Sequence, residues 1–522
     1  MSKQEITYLE DKEVPTHLED KELDLENGEL KGSDEVLDSG EAVKYYDLPE
    51  SLQGLTQEEL KSLDVRTTRK VDLRLMPMLI YIYILNYLDR NNIASARLGG
   101  LEKDLNLVGS QYQTAISILF VGYILFQIPS NMLLNKLGKP SLYISILMTV
   151  WGLISLCTGF VKSYGGLVAI RALLGIVESG FFSAALATLS NWYDRKSLSL
   201  RNSILYSGSL MSSAWSGLIA AGILNNMDGL GGVRSWRYLF YIEGGITVLS
   251  VPFAYWILPD NPSNTSFLSQ QEKDIIQWKL QQDVGTKDSD EEAQESTVSG
   301  LLLALKDTKV WLVTGIMTFL VAACGVTNFF PSVVQTLNFN RTTTLCLTAP
   351  PYCLAVVVTF LWARHADKTG ERFYHVCLPL CISLVSFIIS ASTLNTAARY
   401  FAMCIMIPSL YSSFTVILAW TSNCCPRPPA KRAVAIAMMN CVSNSTSIWN
   451  AYLYPSSSAP RYLTAFVCNC VFILLAIVMA VLLRLRIMAL NRRIVAGTMN
   501  WTRELGKGND GSKISPDFRF LY

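Results

Sequence analysis

Histidine is scarce in this chain: the three residues stand at positions 17, 365 and 375, in the N-terminal tail or beside a connection rather than in the middle of an apolar run. That distribution argues against a membrane enzyme built on a histidine cluster. Charge is scarce as well, at 16% Asp, Glu, Lys and Arg against 50% hydrophobic residues, where an average soluble domain carries about 25% charged residues. The net charge of +2 averages an acidic tail against basic connections, so no nucleic-acid partner is expected. Zinc-type and secreted-disulfide spacings are missing from the twelve cysteines. Most of these, including Cys157, Cys324, Cys377, Cys381, Cys404, Cys441, Cys468 and Cys470, fall inside apolar runs and read as buried free thiols. There is no nucleotide-binding loop and no nucleophile motif, so no cofactor, no metal and no enzymatic activity are expected. The first seventy residues lack an apolar core, so no cleavable leader is expected.

What the chain has in quantity is apolar runs. They recur at about 75–97, 112–134, 141–160, 165–188, 203–224, 238–258, 310–332, 345–363, 374–394, 399–421, 432–453 and 463–487, each near the roughly 20 residues that a spanning helix needs. With a mean hydropathy of +0.29, they predict an all-α polytopic membrane protein with twelve transmembrane helices in two six-helix bundles. The expected organisation is a disordered acidic tail over 1–70, a first bundle over 71–259, a hydrophilic central loop over 260–308, a second bundle over 309–488 and a C-terminal tail over 489–522. Six plus six around a charged middle loop is the layout of a transporter built from two similar halves. Lys and Arg alternate between connections: Arg66, Arg69, Lys70 and Arg74; Lys136 and Lys139; Arg195, Lys196 and Arg201; Arg364, Lys368 and Arg372; Arg484, Arg486, Arg492 and Arg493. The positive-inside rule then places both termini in the cytoplasm. It also places the sequon Asn340-Arg-Thr342 outside, where Asn340 is an expected glycosylation site.

Charges inside these runs single out functional positions, because an ionisable group at mid-bilayer costs at least a few kcal/mol on insertion scales and marks a partner or a watery path. Arg171 and Glu178 lie two helical turns apart with Gly175 between them, so one face of the fourth span carries both. Asp89 and Arg90 form a second acid–base pair in the first span, with Asn86 one turn earlier. Glu243, in the first turns after Trp236-Arg237, reads as one partner of a helix-end ion pair. Tyr123, Gln127, Trp215, Asn328, Phe329, Asn440, Asn444 and Trp449 are candidates for a substrate wall, the two amides of the eleventh span being the stronger because an unpaired amide in lipid is costly.

Two tight turns repeat at equivalent places in the halves: Asn131-Met-Leu-Leu-Asn135-Lys136-Leu-Gly138-Lys139-Pro140 and Ala363-Arg-His-Ala-Asp367-Lys368-Thr-Gly370-Glu-Arg372. Here the chain resembles the major facilitator superfamily, whose signature in these two loops has the form G-x-x-x-D-R-x-G-R-R. The second copy keeps Asp367, Lys368, Gly370 and Arg372. The first keeps Lys136 and Gly138 but has Asn131 and Asn135 where the family has Gly and Asp. The resemblance implies that these residues gate the conformational change, with the first latch differently built. Within the superfamily the chain is similar to the anion:cation symporters, in particular the fungal allantoate permease group, through Leu88-Asp89-Arg90-Asn-Asn-Ile93, Arg171 to Gly180, Trp236 to Gly244 and Ala459-Pro-Arg-Tyr462. The run Gly100 to Tyr112 is most like the nicotinic acid permeases.

That resemblance implies the major facilitator fold, with the first and fourth spans lining a common cavity. It implies Asp89 and Glu178 as proton carriers, and Arg90 and Arg171 as the cations that attract a substrate anion, with Asn86, Tyr123, Gln127, Asn440 and Asn444 around it. A carboxylate paired with a cation resists protonation, so an anion that draws the arginine away lets the acid take a proton. The planar guanidinium suits a carboxylate because it binds both oxygens. The expected protein is a monomeric, plasma-membrane symporter of protons and a small organic anion such as nicotinate. An exporter, or a sensor that binds without transporting, stays open, as does the reading of Asp89–Arg171 and Glu178–Arg90 as buried salt bridges that only lock helices.

Overall fold

The computed structural model describes residues 48–285, 297–425, 429–498 and 520, all helical or irregular, with no strand among them. Its long helices are α1 Gln57–Leu98, α2 Gln111–Leu137, α3 Pro140–Thr158, α4 Tyr164–Trp192, α5 Arg195–Asn226, α6 Ser235–Ile257, α7 Thr308–Gln335, α8 Arg341–Thr369, α9 Phe373–Ser392, α10 Thr396–Cys424, α11 Pro429–Asn450 and α12 Leu463–Val495. Ten of them are long and apolar enough by composition to cross a membrane, and α2 and α11 occupy the remaining two expected places.

The first helix starts well before the apolar run near residue 75, within the expected tail. The reason is local: Thr56 and Glu59 form a capping box, the Thr56 hydroxyl accepting from the Glu59 N–H while the Glu59 carboxylate accepts from the Thr56 N–H. Residues 1–47 lie outside the described residues. The extension is held by the central connection, which is not a plain loop. Its helix Gln270–Gly285 packs on α1, Lys279 pairs with Asp64 at 2.9 Å and Lys70 pairs with Glu272. Burial pushes the Glu272 carboxyl up, but the Lys70 ammonium and the Ser269 N–H outweigh it and hold the group below its ordinary value.

Packing repeats with a shift of six helices. In the first half α1 packs on α5, α2 on α4 and α3 on α6; in the second α7 packs on α11, α8 on α10 and α9 on α12. The halves meet through α2 against α11 and α5 against α8, the same pair of helices under that shift. Small residues permit the closest approaches, as expected where apolar surface alone gives helices no reason to associate in lipid. A Cβ on Gly175 of α4 would lie 2.0 Å from the Leu119 carbonyl oxygen of α2, and one on Gly122 of α2 would lie 2.6 Å from the Ala172 carbonyl oxygen. The glycine between Arg171 and Glu178 is therefore a contact point, and it brings their helix against α2. The cysteines are free, but Cys157, Cys381 and Cys441 are exposed rather than buried, because an apolar helix in lipid needs no protein on its outer face.

Both repeated turns end their helices in the same way. Gly138 (φ 62°) closes α2 and Gly370 (φ 66°) closes α8, each in the left-handed region with its N–H on the carbonyl four residues back. Asp367 accepts from Arg372 at 2.8 Å; Lys136 and Lys368 are exposed. In the first half, Asp260 at the end of α6 accepts from the Ser141 N–H at 2.9 Å and caps α3. The side chains of Asn131 and Asn135 lie outside the described residues.

Candidate functional site

A cavity of about 1360 Å³, counting the space that opens to solvent, lies between the halves. α1 contributes Tyr83, Asn86, Tyr87, Arg90 and Asn91 to its wall, a spacing of three and four that puts them on one helical face. α2 adds Phe120, Tyr123 and Gln127; α4 adds Glu178 and Phe182; α11 adds Asn440 and Asn444. Of the expected substrate residues, Asn86, Arg90, Tyr123, Gln127, Asn440 and Asn444 thus share one chamber with Glu178.

The chamber is closed at the end where α1 finishes and α2 begins. There Gln113 Nε2 donates to the Tyr454 carbonyl at 3.3 Å, Ser117 Oγ to the Ile448 carbonyl at 2.6 Å and Arg97 to Ser332 Oγ at 3.4 Å, and Arg341 donates to the Leu224 carbonyl, all between halves. Phe329 stacks on Tyr454 at 4.9 Å in this seal, and so does not belong to the cavity wall. Trp215 and Trp449, 50% and 43% exposed, point away from the chamber as well. Asn328 does line it.

Arg90 is the cation of the chamber. Its Nε donates to Oε2 of Glu178 at 2.8 Å, its Nη2 forms an ion pair with the same oxygen at 2.8 Å, and Oε1 of Glu178 has no hydrogen-bond partner. The guanidinium lies 5.1 Å from the Tyr87 ring centroid and 5.0 Å from that of Tyr123, where cation–π attraction holds it in place. The arginine is thus oriented between two rings, with one carboxylate as its counterion.

The other two expected charges are elsewhere. Asp89 does not pair with Arg171: Ser155 of α3 donates to its Oδ1 at 2.5 Å and Thr247 of α6 to its Oδ2 at 3.2 Å. Successive residues of a helix point about 100° apart, so with Arg90 in the chamber Asp89 turns into the packing of α1 against α6. Arg171 is 2% exposed, donates through Nε to the Ala115 carbonyl at 3.3 Å and leaves Nη1 without a partner. It stands behind the wall. Glu243 makes no ion pair with Arg237, which pairs with Asp104 at 2.9 Å; Glu243 is 2% exposed and accepts from Asn92 at 2.8 Å. Sequence reasoning also passed over most of the chamber's aromatic lining, Tyr83, Tyr87, Phe120, Phe182, Tyr206, Tyr352, Tyr411 and Phe414. The heptad-like spacing of Tyr83, Tyr87 and Arg90 was the available signal. Exposed Asn340 caps α8 by accepting from the Thr343 N–H.

Two packed, repeated half-bundles around a charged central chamber define a membrane transporter rather than an enzyme. The sequence matches the Major Facilitator Superfamily over residues 79–451, and the chain belongs to that family. It is 33% identical over 410 residues to the MFS-type transporter efuF of Hormonema carpetanum, covering 77% of this chain and 81% of the relative. It is 30% identical over 423 residues to a high-affinity nicotinic acid transporter of Saccharomyces cerevisiae, covering 80% and 77%. Among solved structures it is similar in fold to a bacterial homologue of the human lysosomal transporter Spinster in an inward-facing, unoccupied conformation, with a TM-score of 0.62 at 15% identity, covering 78% of this chain and 96% of that one.

Proposed function

We propose that this protein is a proton-coupled symporter that imports a small aromatic or heterocyclic carboxylate, nicotinate being the leading candidate, and that it belongs with the fungal allantoate permeases of the anion:cation symporters. The carrying observation is Arg90, held between Tyr87 and Tyr123 with Glu178 as its counterion. A planar carboxylate fits the guanidinium through two oxygens, and its ring fits a wall of tyrosine and phenylalanine. When it takes Arg90, Glu178 loses its counterion while buried, and a proton arriving at its vacant Oε1 neutralises it. Anion and proton load together and the binding of each favours the other. Asn440 and Asn444, from the opposite half, would hold the far end of the substrate, and Arg171 would act from behind the wall on the field around Glu178.

In this reading the sealed end is the outer one, the basic turns around Gly138 and Gly370 are cytoplasmic gates, both termini are cytoplasmic, and the protein works as a plasma-membrane monomer with bundles bounded near 71–259 and 309–488. Exposed Asn340 at the sealed end is then available for glycosylation. The test is uptake of labelled nicotinate, benzoate and an aliphatic acid by cells lacking their own carriers, at external pH 5 and pH 7. Accumulation of the aromatic acids that rises at pH 5 supports the proposal. Uptake indifferent to pH, or export of preloaded acid without accumulation, would refute it.

A further inference from the structure

Hydrogen-bond accounting leaves two buried acceptors unmatched within a single pair of side chains. Asn92 Nδ2 donates to Glu243 Oε2 at 2.8 Å, yet Asn92 Oδ1 and Glu243 Oε1 both lack a partner, and the two residues are 0% and 2% exposed. Buried polar atoms are rarely left so. Among the described residues Glu243 makes no ion pair. α3 carries no charged residue and α5 none after Arg201; Arg237 is engaged with Asp104 and Arg90 with Glu178. Asp89, one turn before Asn92 on α1, is held by the hydroxyls of Ser155 and Thr247.

One proton resolves both vacancies. Placed on Oε1 of Glu243 and donated to Oδ1 of Asn92, it closes a ring in which acid and amide each give one hydrogen bond and accept one. We propose that Glu243 and Asn92 form a proton-binding site in the seam between α1 and α6, outside the anion chamber, and that with Asp89 it stores a coupling proton.

The seam is joined to the chamber through α1. Asp89 and Asn92 face α6 while their neighbour Arg90 faces the cavity, so a shift of α1 when Arg90 changes partner from Glu178 to a substrate is felt at the Asn92–Glu243 bond. Binding adds one proton and no other covalent bond forms or breaks. The coupling role rests on the symport reading above; the existence of the site does not.

Infrared spectra of the purified full-length protein in liposomes, at neutral pH in choline buffer, test the site directly. The protonated-carboxyl carbonyl band is expected in the wild type and reduced in Glu243→Gln, whose amide mimics the protonated acid and keeps both hydrogen bonds. The same band intensity in both proteins would overturn the site as one for protons, and so would its disappearance when sodium replaces choline, which would mark a metal-cation site instead. Transport in the same liposomes tests the coupling. Glu243→Gln is expected to keep nicotinate counterflow and to lose accumulation driven by a pH gradient; wild-type accumulation by the variant would overturn the storage role. Absence of nicotinate transport by the wild type would refute the symport reading while leaving the band difference to decide the site.

Discussion

Replacing Glu178 by Gln is the perturbation most closely tied to the chamber. It keeps the shape and one acceptor for Arg90 but removes the charge and the proton-binding oxygen. A pair of unit charges about 4 Å apart attracts by roughly 4 kcal/mol at the effective dielectric of about 20 that reproduces protein data. The 2.8 Å contacts here make the centre-to-centre distance comparable. The neutral amide retains part of the hydrogen bonding, so about half of that attraction, ~2 kcal/mol, is released to an incoming carboxylate, a gain of roughly 30-fold in its affinity. Transport should move the other way. Without a group in the chamber that takes up a proton as Arg90 turns to the substrate, the variant is expected to exchange bound anion but not to concentrate it when the outside is acidified. The assay is nicotinate binding and pH-gradient-driven uptake in liposomes, side by side with counterflow. Weaker anion binding together with undiminished pH-driven accumulation would refute the argument that Glu178 competes with substrate for Arg90 and carries the proton.

Tyr206 of α5 stacks on Phe414 of α10 at 5.1 Å across the chamber; Tyr206→Ala should cost aromatic acids about 1 kcal/mol of affinity and an aliphatic acid much less, read as competition in uptake. Gly175→Ala puts its Cβ against the Leu119 carbonyl, and overpacking of this kind costs typically 1–3 kcal/mol, so a lower thermal midpoint in detergent is expected, while Gly222→Ala, with open space at that position, should leave the midpoint unchanged. Because the Glu272 carboxyl is held below its ordinary value, its pairing with Lys70 contributes fully above that value and fades as pH falls through the lowered one; protease cleavage within Gln270–Gly285 should therefore rise only under strongly acidic conditions, and Glu272→Gln should raise it at neutral pH. Asn340→Gln should abolish any endoglycosidase-sensitive shift in gel mobility.

Some of this was legible before any coordinates. Apolar runs near the thickness of a bilayer announced most of the helices, because the membrane imposes length and composition on each span separately. Charges within those runs marked Asp89, Arg90, Arg171, Glu178 and Glu243 as positions with work to do, because lipid makes such residues expensive wherever they occur. The repeated turns ending at Gly138 and Gly370 pointed to two related halves. The start of α1 was misplaced because its extension at Gln57 answers to a capping box and to ion pairs with the connection between halves, not to hydropathy.

Partnership was decided only by the tertiary structure. Spacing puts Asp89 next to Arg90 and Arg171 two turns from Glu178, but the rotation of each helix about its axis is set by packing, here by the close contacts of Gly122 and Gly175 between α2 and α4. The α2–α4 packing turns Glu178 into the chamber and leaves Arg171 behind the wall against the Ala115 carbonyl, while the packing of α1 against α5 and α6 turns Arg90 into the chamber and Asp89 with Asn92 towards Ser155, Thr247 and Glu243. The sequence by itself determined which residues are costly to bury. Which costly residue offsets which depends on contacts between helices far apart in the chain, and no local pattern encodes them.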